Sequence, residues 1–392
     1  MNICFVCNEY PDGPHGGVGT MTQLLAEELV LRNHAVKVIG IYDKQYPSAS
    51  FELKNGVEVT RIKINYRSKL SVLWAHLVLA KKIKQWISDD LIDIIEIPDS
   101  YGMFSFVARF KKPLVLRAHG NQTYFSSILN TPLKKRTVFY ESNLYKRASG
   151  VCAVSGFTAN KMKTLFDIKK SITVIHNGID IQKVDPGNLE LTDDQARKLS
   201  LSNKIIFSGT LTPKKGIYEL IKAVVILLNK GLDATLIING KDTVNSSTGH
   251  SVKNELTNLI PQEFKNNFIF SGHISREELL YQYKHCEAAV FPSYAEAFAI
   301  APMEAMAAGI PTIFSLRCSG SELISDKEDG LLIDPSSEQS IAKAIEYILR
   351  NPEEATRMGQ KGKEKIGKSF SKETMTTKTL QFYEQVQAAF YK

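Results

Sequence analysis

The chain has 392 residues, of which 43% are hydrophobic and 23% charged. This length exceeds one ordinary domain and the composition is typical of a globular protein, so two hydrophobic cores are expected. No apolar run reaches the roughly 18 residues of a membrane-spanning helix, and the N-terminus resembles a first strand more than a signal peptide. An odd number of cysteines, five, favours a reducing compartment, so we expect a cytoplasmic protein.

The net charge of +8 is concentrated in the first half of the chain. Residues 1–190 carry the whole excess of basic side chains, whereas residues 191–392 are balanced. The basic clusters include Lys81, Lys82, Lys84, Lys134, Lys135 and Arg136. Such clusters can hold a protein peripherally on an anionic membrane surface or attract an acidic acceptor, but a solvated lysine-rich face explains them equally well. The sequence has no basic motif interleaved with aromatic residues, so a nucleic-acid partner is not expected.

Apolar runs typical of buried strands alternate with helix-forming segments from the N-terminus onward. In the first half the predicted strands are 3–7, 35–41, 57–62, 92–97, 113–117, 150–154 and 172–175. This alternation predicts βαβ units and a largely parallel sheet. We therefore place a first α/β domain at residues 1–184.

A glycine-rich loop, residues 8–20, follows the first predicted strand. Gly16 and Gly17 permit a tight turn and a close backbone approach, and a helix beginning nearby would direct its N–H groups towards a phosphate. The full G-x-G-x-x-G pattern is absent, so a plain connecting turn is an equally good interpretation of these residues alone.

His119 follows the predicted strand 113–117. Open α/β sheets bind ligands at this edge. A histidine here can hydrogen-bond a hydroxyl group or take part in proton transfer, although a structural histidine is the better interpretation of the residue by itself.

Residues 185–202 interrupt the pattern with proline, glycine and polar side chains, and we predict an interdomain linker there. Beyond it the predicted strands are 204–208, 234–239, 267–271, 288–291, 311–314 and 330–333. They indicate a second α/β domain at residues 203–368. The remaining segment, 369–392, has the apolar spacing of a helix.

Lys215 lies in the segment 207–216, in which the predicted strand 204–208 ends and a glycine turn follows. A lysine in this position can neutralise negative charge that develops on a leaving diphosphate. A loop lysine considered without its context is more often solvated.

Two glutamates flank a predicted helix start in the segment 289–315. Glu296 lies in the turn after strand 288–291, and Glu304 lies about one turn inside a helix that opens near Ala301. Pro302 suits the first turn of that helix. The N–H groups of a helix start attract phosphate, and a carboxylate on each side can bind ligand hydroxyls. Two ordinary surface glutamates remain an alternative for the pair alone.

Together these motifs resemble the retaining family-4 glycosyltransferases, which carry a Glu-x7-Glu signature in the same strand–loop–helix context. The resemblance implies an α/β fold of two Rossmann-like domains facing each other across a cleft (GT-B type), with helix 369–392 packing back on the first domain. It implies transfer of a sugar, with retained configuration, from a nucleotide diphosphate sugar to a hydroxyl of a glycan, lipid-linked or small-molecule acceptor. No bound metal and no other cofactor are expected. The expected process is polysaccharide or glycoconjugate biosynthesis.

The resemblance also implies roles for individual residues. His119 and Glu296 would contact the donor sugar, and Lys215 would stabilise the leaving diphosphate. The implied donor-binding residues are Gly16, Gly17, Thr210, Lys214, Ile274, Phe298, Ala299, Ile300 and Glu304. Thr210 stands where the family usually has arginine, which leaves open whether Lys214 supplies the missing charge. Ala299 replaces a common glycine, and we expect this change to be tolerated.

Two other functions stay open at this point. One is a nucleotide-sugar epimerase or hydrolase on the same fold, and the other is a non-catalytic protein that binds a nucleotide sugar. The presence of both His119 and Lys215 favours an enzyme, and the two glutamates in their matched contexts favour transfer.

Overall fold

The structure, a computed structural model, describes residues 1–12, 16–46, 48–65, 69–106, 109–184 and 201–392. The chain forms two compact units, Met1–Gly178 with Lys372–Lys392, and Ile179–Ser371. The first unit therefore ends at Gly178, slightly before the domain end predicted at residue 184. The predicted linker, 185–202, lies outside the described residues except at its last two positions. Each unit is an α/β unit built on a largely parallel sheet, which confirms the predicted fold class.

The first unit contains an 8-stranded sheet in the order β3-β4-β2-β1-β5-β6-β7-β8. Its strands are Asn2–Val6 (β1), Ala35–Asp43 (β2), Phe51–Lys54 (β3), Val57–Ile64 (β4), Ile94–Pro98 (β5), Leu114–Ala118 (β6), Gly150–Ala153 (β7) and Thr173–Val174 (β8). Its first five helices are Gly17–Leu31 (α1), Lys69–Ser88 (α2), Gln122–Leu129 (α3), Lys135–Arg147 (α4) and Gly156–Phe166 (α5). The strand order reverses between β1 and β5, so the loops after these two strands lie where such sheets bind ligands.

Strand β3 is the one strand of this sheet that the sequence analysis missed. It pairs antiparallel with β4 at the edge of the sheet. The turn between them is Asn55-Gly56, and both residues have positive φ, 49° and 79°. An Asn-Gly pair of this kind is a strong hairpin signal, so the sequence did contain the information.

The second unit contains a 6-stranded, fully parallel sheet in the order β11-β10-β9-β12-β13-β14. Its strands are Lys204–Ser208 (β9), Thr235–Asn239 (β10), Phe268–Gly272 (β11), Ala288–Phe291 (β12), Thr312–Ser315 (β13) and Leu331–Ile333 (β14). Its helices are Ile217–Asn229 (α6), Val252–Asn258 (α7), Arg276–Lys284 (α8), Ile300–Ala307 (α9), Gly320–Leu323 (α10), Glu338–Arg350 (α11) and Pro352–Ser369 (α12). Every predicted strand is present in the two units, with ends that differ by at most two residues.

Apolar side chains of the second sheet and its helices form one buried core. Phe207 on β9, Leu236 on β10 and Ile345 on α11 are among its fully buried members. Strands buried on both faces explain why the sequence shows continuous apolar runs here in place of alternation.

The last helix, Lys372–Phe390 (α13), belongs to the first unit. Arg117 on β6 forms a two-pronged ion pair with Glu96 on β5, at 2.7 and 2.9 Å. Tyr383 of α13 donates a hydrogen bond to the same carboxylate at 2.7 Å, and Arg117 donates to the Thr379 hydroxyl at 3.1 Å. All four groups are buried, so the helix is held by a polar network whose charges are paired and hydrogen-bonded. Among the described residues, no helix is long and apolar enough to span a membrane.

Candidate functional site

The second sheet changes direction between β9 and β12. The chain runs outward from β9 through β10 to β11, and then in the opposite direction from β12 through β13 to β14. In parallel sheets the crevice at this reversal binds ligands, beyond the carboxyl ends of the strands. The two loops that the sequence analysis singled out, after β9 and after β12, both start at this point.

Close backbone contact holds these two loops together. The amide of Tyr294 donates to the carbonyl of Lys214 at 2.8 Å. Gly216 has φ of 67°, and a side-chain carbon added there would lie 1.9 Å from the carbonyl oxygen of Pro292. Only glycine fits this crossing, which explains the Lys-Gly sequence at residues 215 and 216.

The contact between the loops places Lys215 beside Glu296. The Lys215 ammonium donates to the Glu296 carboxylate at 2.5 Å. The two side chains are only 26% and 13% exposed, so the pair is largely shielded from water. Lys215 lies at the end of a short 3-10 turn, Pro213–Lys215, and Glu296 lies in the loop before α9.

The charges around Glu296 keep its carboxyl ionised. Burial by itself would raise the pKa of Glu296, but the positive charges of Lys215 and Lys214 outweigh it, so the pKa lies below its ordinary value. Burial lowers the pKa of the Lys214 ammonium; the charge of Glu296 opposes this shift and that of Lys215 adds to it. Two cations therefore flank one carboxylate at the carboxyl edge of the sheet.

Helix α9 begins directly after this carboxylate. Ala299 is its N-cap and Ile300 its first residue, and the alanine side chain forms no capping hydrogen bond. The first backbone N–H groups of a helix have no partner within the helix and carry partial positive charge. Ala299 has φ of −76°, an ordinary conformation for alanine, which explains how the usual glycine can be absent.

Glu304 lies one turn into α9, as predicted, and is paired with an arginine that the sequence analysis did not identify. The guanidinium of Arg276, the first residue of α8, donates to the Glu304 carboxylate at 3.0 Å. It also donates to the carbonyl of Lys183 at 3.4 Å. No spacing rule links residues 276 and 304, so only the fold could reveal this pair.

The other predicted residues of the second unit have less defined surroundings. Phe298 is buried, and its ring lies 5.6 Å from the ring of Phe370. Thr210 is exposed in the loop after β9, and Ile274 is half-buried in the loop after β11. Among the described residues, no cluster of three or more His, Cys, Asp or Glu side chains could hold a metal ion.

In the first unit, His119 follows β6 and is held by Asp99, which follows β5. The His119 amide donates to the Asp99 carboxyl at 2.9 Å, and the Tyr145 hydroxyl donates to the other oxygen at 3.0 Å. Burial, with help from the charge of Arg117, lowers the pKa of the His119 imidazole to about 3. Burial raises the pKa of Asp99 to about 7 against these two hydrogen bonds. His119 is therefore neutral at neutral pH, and it suits hydrogen bonding better than acid catalysis.

The glycine loop differs from the expectation of an open phosphate site. Gly17 is the first residue of α1 and Gly16 is its N-cap. The carboxylate of Glu9 accepts a hydrogen bond from the Gly16 amide at 2.8 Å. An anionic side chain thus already lies at the helix start that the sequence analysis assigned to a phosphate.

A pocket of about 350 Å³ in the first unit is lined in part by Gly120, the residue after His119. Its lining residues are all uncharged: Ser100, Gly120, Asn121, Gln122, Phe125, Ser126, Leu129, Thr131, Pro132 and Leu133. Asn121 is 1% exposed and accepts from the Tyr124 amide, while its side-chain NH₂ finds no partner among the described residues. A buried donor without a partner is costly, so this group is suited to a ligand hydroxyl.

The structure thus brings Lys215, Lys214, Glu296 and the start of α9 together, with Glu304 one turn further along the helix. His119, Gly16 and Gly17 lie in the first unit. A fully parallel sheet with a lysine, two glutamates and a helix start at its reversal point is typical of α/β units that bind nucleotides.

Comparison with known proteins identifies the family. Residues 15–183 match the model of Glycosyltransferase Family 4, and residues 191–365 match that of Glycosyl transferases group 1. An uncharacterized glycosyltransferase of Methanocaldococcus jannaschii is 28% identical over 89% of each chain. Sucrose-phosphate synthase from Thermosynechococcus elongatus superposes with a TM-score of 0.80 at 19% identity, covering 99% of both chains. HepE of Anabaena, in complex with UDP and glucose, superposes with a TM-score of 0.77 at 17% identity, covering 98% of this chain and 100% of the HepE chain.

The two family models together account for most of the chain, which belongs to the family-4 glycosyltransferases of the GT-B fold. The resemblance seen in the sequence is confirmed, and with it the activity: transfer of a sugar from a nucleotide sugar.

Proposed function

We propose that this glycosyltransferase retains the configuration of the transferred sugar and works without a bound metal or another cofactor. Its acceptor is a hydroxyl of a glycan, of a lipid-linked saccharide or of a small molecule, in polysaccharide or glycoconjugate biosynthesis. The observation that carries the proposal is the Lys215–Glu296 ion pair, 2.5 Å long, beside the start of α9.

This arrangement can bind each part of a nucleotide diphosphate sugar. The diphosphate would lie at the first N–H groups of α9, where Lys215 and Lys214 supply positive charge. Glu304 would accept hydrogen bonds from the ribose after exchanging its contact with Arg276. Glu296 would accept from the sugar hydroxyls. HepE contains UDP, which makes a uridine nucleotide the first donor to test.

Lys215 has the chemical role of stabilising the leaving diphosphate. As the bond to the sugar breaks, negative charge grows on the phosphate oxygens, and a fixed ammonium beside them lowers the barrier. In the donor-free enzyme Glu296 holds that ammonium in place. The two lysines and the helix dipole support a reaction in which protein groups, and no bound metal, balance this charge. Retention rests on the resemblance to a retaining family.

The acceptor proposal rests on the first unit. The pocket has no charged lining residue. The NH₂ of Asn121, which lines it, and the neutral imidazole of His119, two residues earlier in the chain, can hydrogen-bond uncharged hydroxyls. Aromatic and aliphatic lining from Phe125 and Leu129 suits the C–H faces of a sugar ring. These features favour a neutral hydroxyl over the acidic acceptor that the basic clusters alone would suggest.

A donor screen followed by product analysis tests the proposal. A ligand that binds only the folded state raises its melting temperature, so UDP, GDP, ADP and their sugars are compared by thermal shift. The best donor is then incubated with and without a saccharide acceptor. Nuclear magnetic resonance of the product distinguishes a retained from an inverted linkage. Nucleotide release at the same rate without acceptor would indicate a hydrolase, and an altered free nucleotide sugar would indicate an epimerase.

A further inference from the structure

Helix α2 exposes a line of large apolar side chains. Leu70, Leu73, Trp74 and Leu77 are 79%, 45%, 56% and 52% exposed. They stand at positions i, i+3, i+4 and i+7, which is one face of a helix. Soluble proteins expose single apolar residues commonly, but a contiguous patch marks an interaction surface.

Two lysines extend the same face towards the end of the helix. At 100° per residue, Lys81 and Lys84 fall in the same arc of roughly 100° as the four apolar residues. Both are exposed, and within the described part of the chain neither has an ion-pair partner. We call these six residues the α2 face. It is about 20 Å long at 1.5 Å per residue, apolar over its first half and basic over its second.

The opposite side of α2 is committed to the core. Leu79, Ile83 and Trp86 are buried there. The helix therefore cannot rotate to hide its exposed leucines without exposing an equal number of core residues. The α2 face is a stable surface of the folded unit.

The charge pattern decides what kind of partner fits this surface. Two copies packed in parallel through the α2 face would bring lysines against lysines, and two packed antiparallel would bury lysines on leucines, which is costly without a counter-charge. An anionic bilayer satisfies both halves at once. Leucine and tryptophan side chains enter the headgroup–acyl boundary while lysines reach the phosphates.

We propose that the α2 face docks this enzyme on the surface of a bilayer that contains anionic lipids, with the helix lying in the interface plane. The first half of the chain carries the whole net charge of +8, which adds long-range attraction to the same surface. The proposal concerns a surface outside the donor site, and its test does not depend on sugar transfer.

Tryptophan fluorescence of the full chain provides a direct test. The chain has two tryptophans, Trp74 on the α2 face and Trp86 in the core. Vesicles of phosphatidylcholine mixed with phosphatidylglycerol in equal parts should shift the emission to shorter wavelength as Trp74 leaves water. Trp86 is already buried and contributes a constant signal. Pure phosphatidylcholine should give much weaker binding, and added salt should weaken binding to the mixed vesicles.

Matched pairs of variants distinguish docking by the α2 face from nonspecific hydrophobic adsorption and from general electrostatic attraction. The double variant Lys81→Gln, Lys84→Gln should bind mixed vesicles roughly 25-fold more weakly, about fivefold for each lysine. The double variant Leu73→Gln, Leu77→Gln should lose at least about tenfold while keeping Trp74 as reporter. The controls Leu31→Gln with Leu53→Gln, and Lys361→Gln with Lys368→Gln, remove exposed leucines and lysines elsewhere and should bind as the unmodified chain does.

Each contrary result overturns the proposal. Absence of binding to both vesicle types would exclude a lipid surface. Binding without a change in Trp74 emission would mean that another face docks. A self-association measured by sedimentation that the Leu73→Gln, Leu77→Gln variant abolishes would assign the α2 face to a second copy of the chain.

Discussion

The carboxyl edges of the two sheets differ in charge although the two units share an architecture. At the edge of the second sheet, Lys215 pairs with Glu296 and Arg276 pairs with Glu304. At the edge of the first sheet, His119 has its pKa lowered to about 3 by burial and by the charge of Arg117. Asp99 has its pKa raised to about 7 by burial, so it holds a proton over most of the acidic range.

This difference supports the proposed division of donor and acceptor binding between the two units. A nucleotide diphosphate needs cations and helix N–H groups, and the second sheet presents both at its reversal point. An uncharged hydroxyl needs hydrogen-bonding groups of little charge, which the first unit presents around the pocket that Gly120 and Asn121 line. Basic side chains of the first unit such as Lys81, Lys84 and Lys134 are exposed, so they can attract an anionic partner.

The largest expected effect comes from removing the positive charge of Lys215 in the second unit. Lys215→Ala should lower turnover by roughly 10²–10³, which is the usual loss for one preorganised charge stabiliser. Lys222→Ala, on the exposed side of α6, removes an equal charge from the same unit and should leave turnover unchanged. Steady-state kinetics on folded variants decides the matter, and near-normal turnover of Lys215→Ala would remove this residue from the mechanism.

Replacement of Glu296 and replacement of Glu304 should have different effects on ligand binding. Glu304→Ala should weaken binding of the free nucleoside diphosphate about tenfold or more, because a hydrogen bond to a charged group is lost. Glu296→Ala should weaken the nucleotide sugar more than the free nucleotide, since Lys215 loses its partner and becomes available to phosphate. Titration calorimetry with both ligands measures this, with the exposed Glu353→Ala as control. Equal losses for both ligands in both variants would contradict the division of roles.

Asp99 and His119, at the carboxyl edge of the first sheet, predict opposing pH dependences of the free energy of unfolding. Between 3.8 and about 7 the folded unit keeps a proton on Asp99 that the unfolded chain releases, so this stabilisation is complete at low pH and is lost as pH rises towards 7. His119 acts in the opposite sense: between about 3 and 6.5 only the unfolded chain binds its proton, so stability rises with pH. The two trends oppose each other between about pH 4 and 6.5.

The Asp99→Asn variant isolates the histidine contribution. Its stability should rise between about pH 4 and 6.5, by at most about 1.4 kcal/mol per pH unit, while the unmodified chain changes little. Thermal melts followed by tryptophan emission report the first unit alone, because Trp74 and Trp86 both lie on α2. The exposed Asp89→Asn should behave as the unmodified chain. Identical pH profiles for Asp99→Asn and the unmodified chain would show that Asp99 is not protonated in the folded state.

The smallest expected effect is that of a chelator. Activity should survive EDTA, because Lys215, Lys214 and the start of α9 are proposed to carry the cationic role. The assay compares rates before and after chelation and after adding back Mg²⁺ or Mn²⁺. Loss of activity that either ion restores would assign that role to a metal.

Much of this molecule could be predicted from sequence because its sheets are buried on both sides. Continuous apolar runs mark such strands wherever they occur, so the predicted strands agree with the structure to within two residues. The loops with Lys215, Glu296 and His119 follow those strands directly, so their places at the sheet edges could be predicted as well. Strand β3 was not predicted because it is short and largely exposed, although the Asn55-Gly56 pair is a hairpin signal.

Properties that depend on packing between distant segments were decided only by the tertiary structure. Arg276 meets Glu304 because α8 and α9 pack together, and Asp99 keeps its proton because the surrounding strands exclude water. Helix α2 is the clearest case. It has leucines or tryptophan on both sides, so its sequence alone does not distinguish the buried side from the exposed one. The sheet of the first unit covers the side of Leu79, Ile83 and Trp86, and for that reason Leu70, Leu73, Trp74 and Leu77 face the solvent.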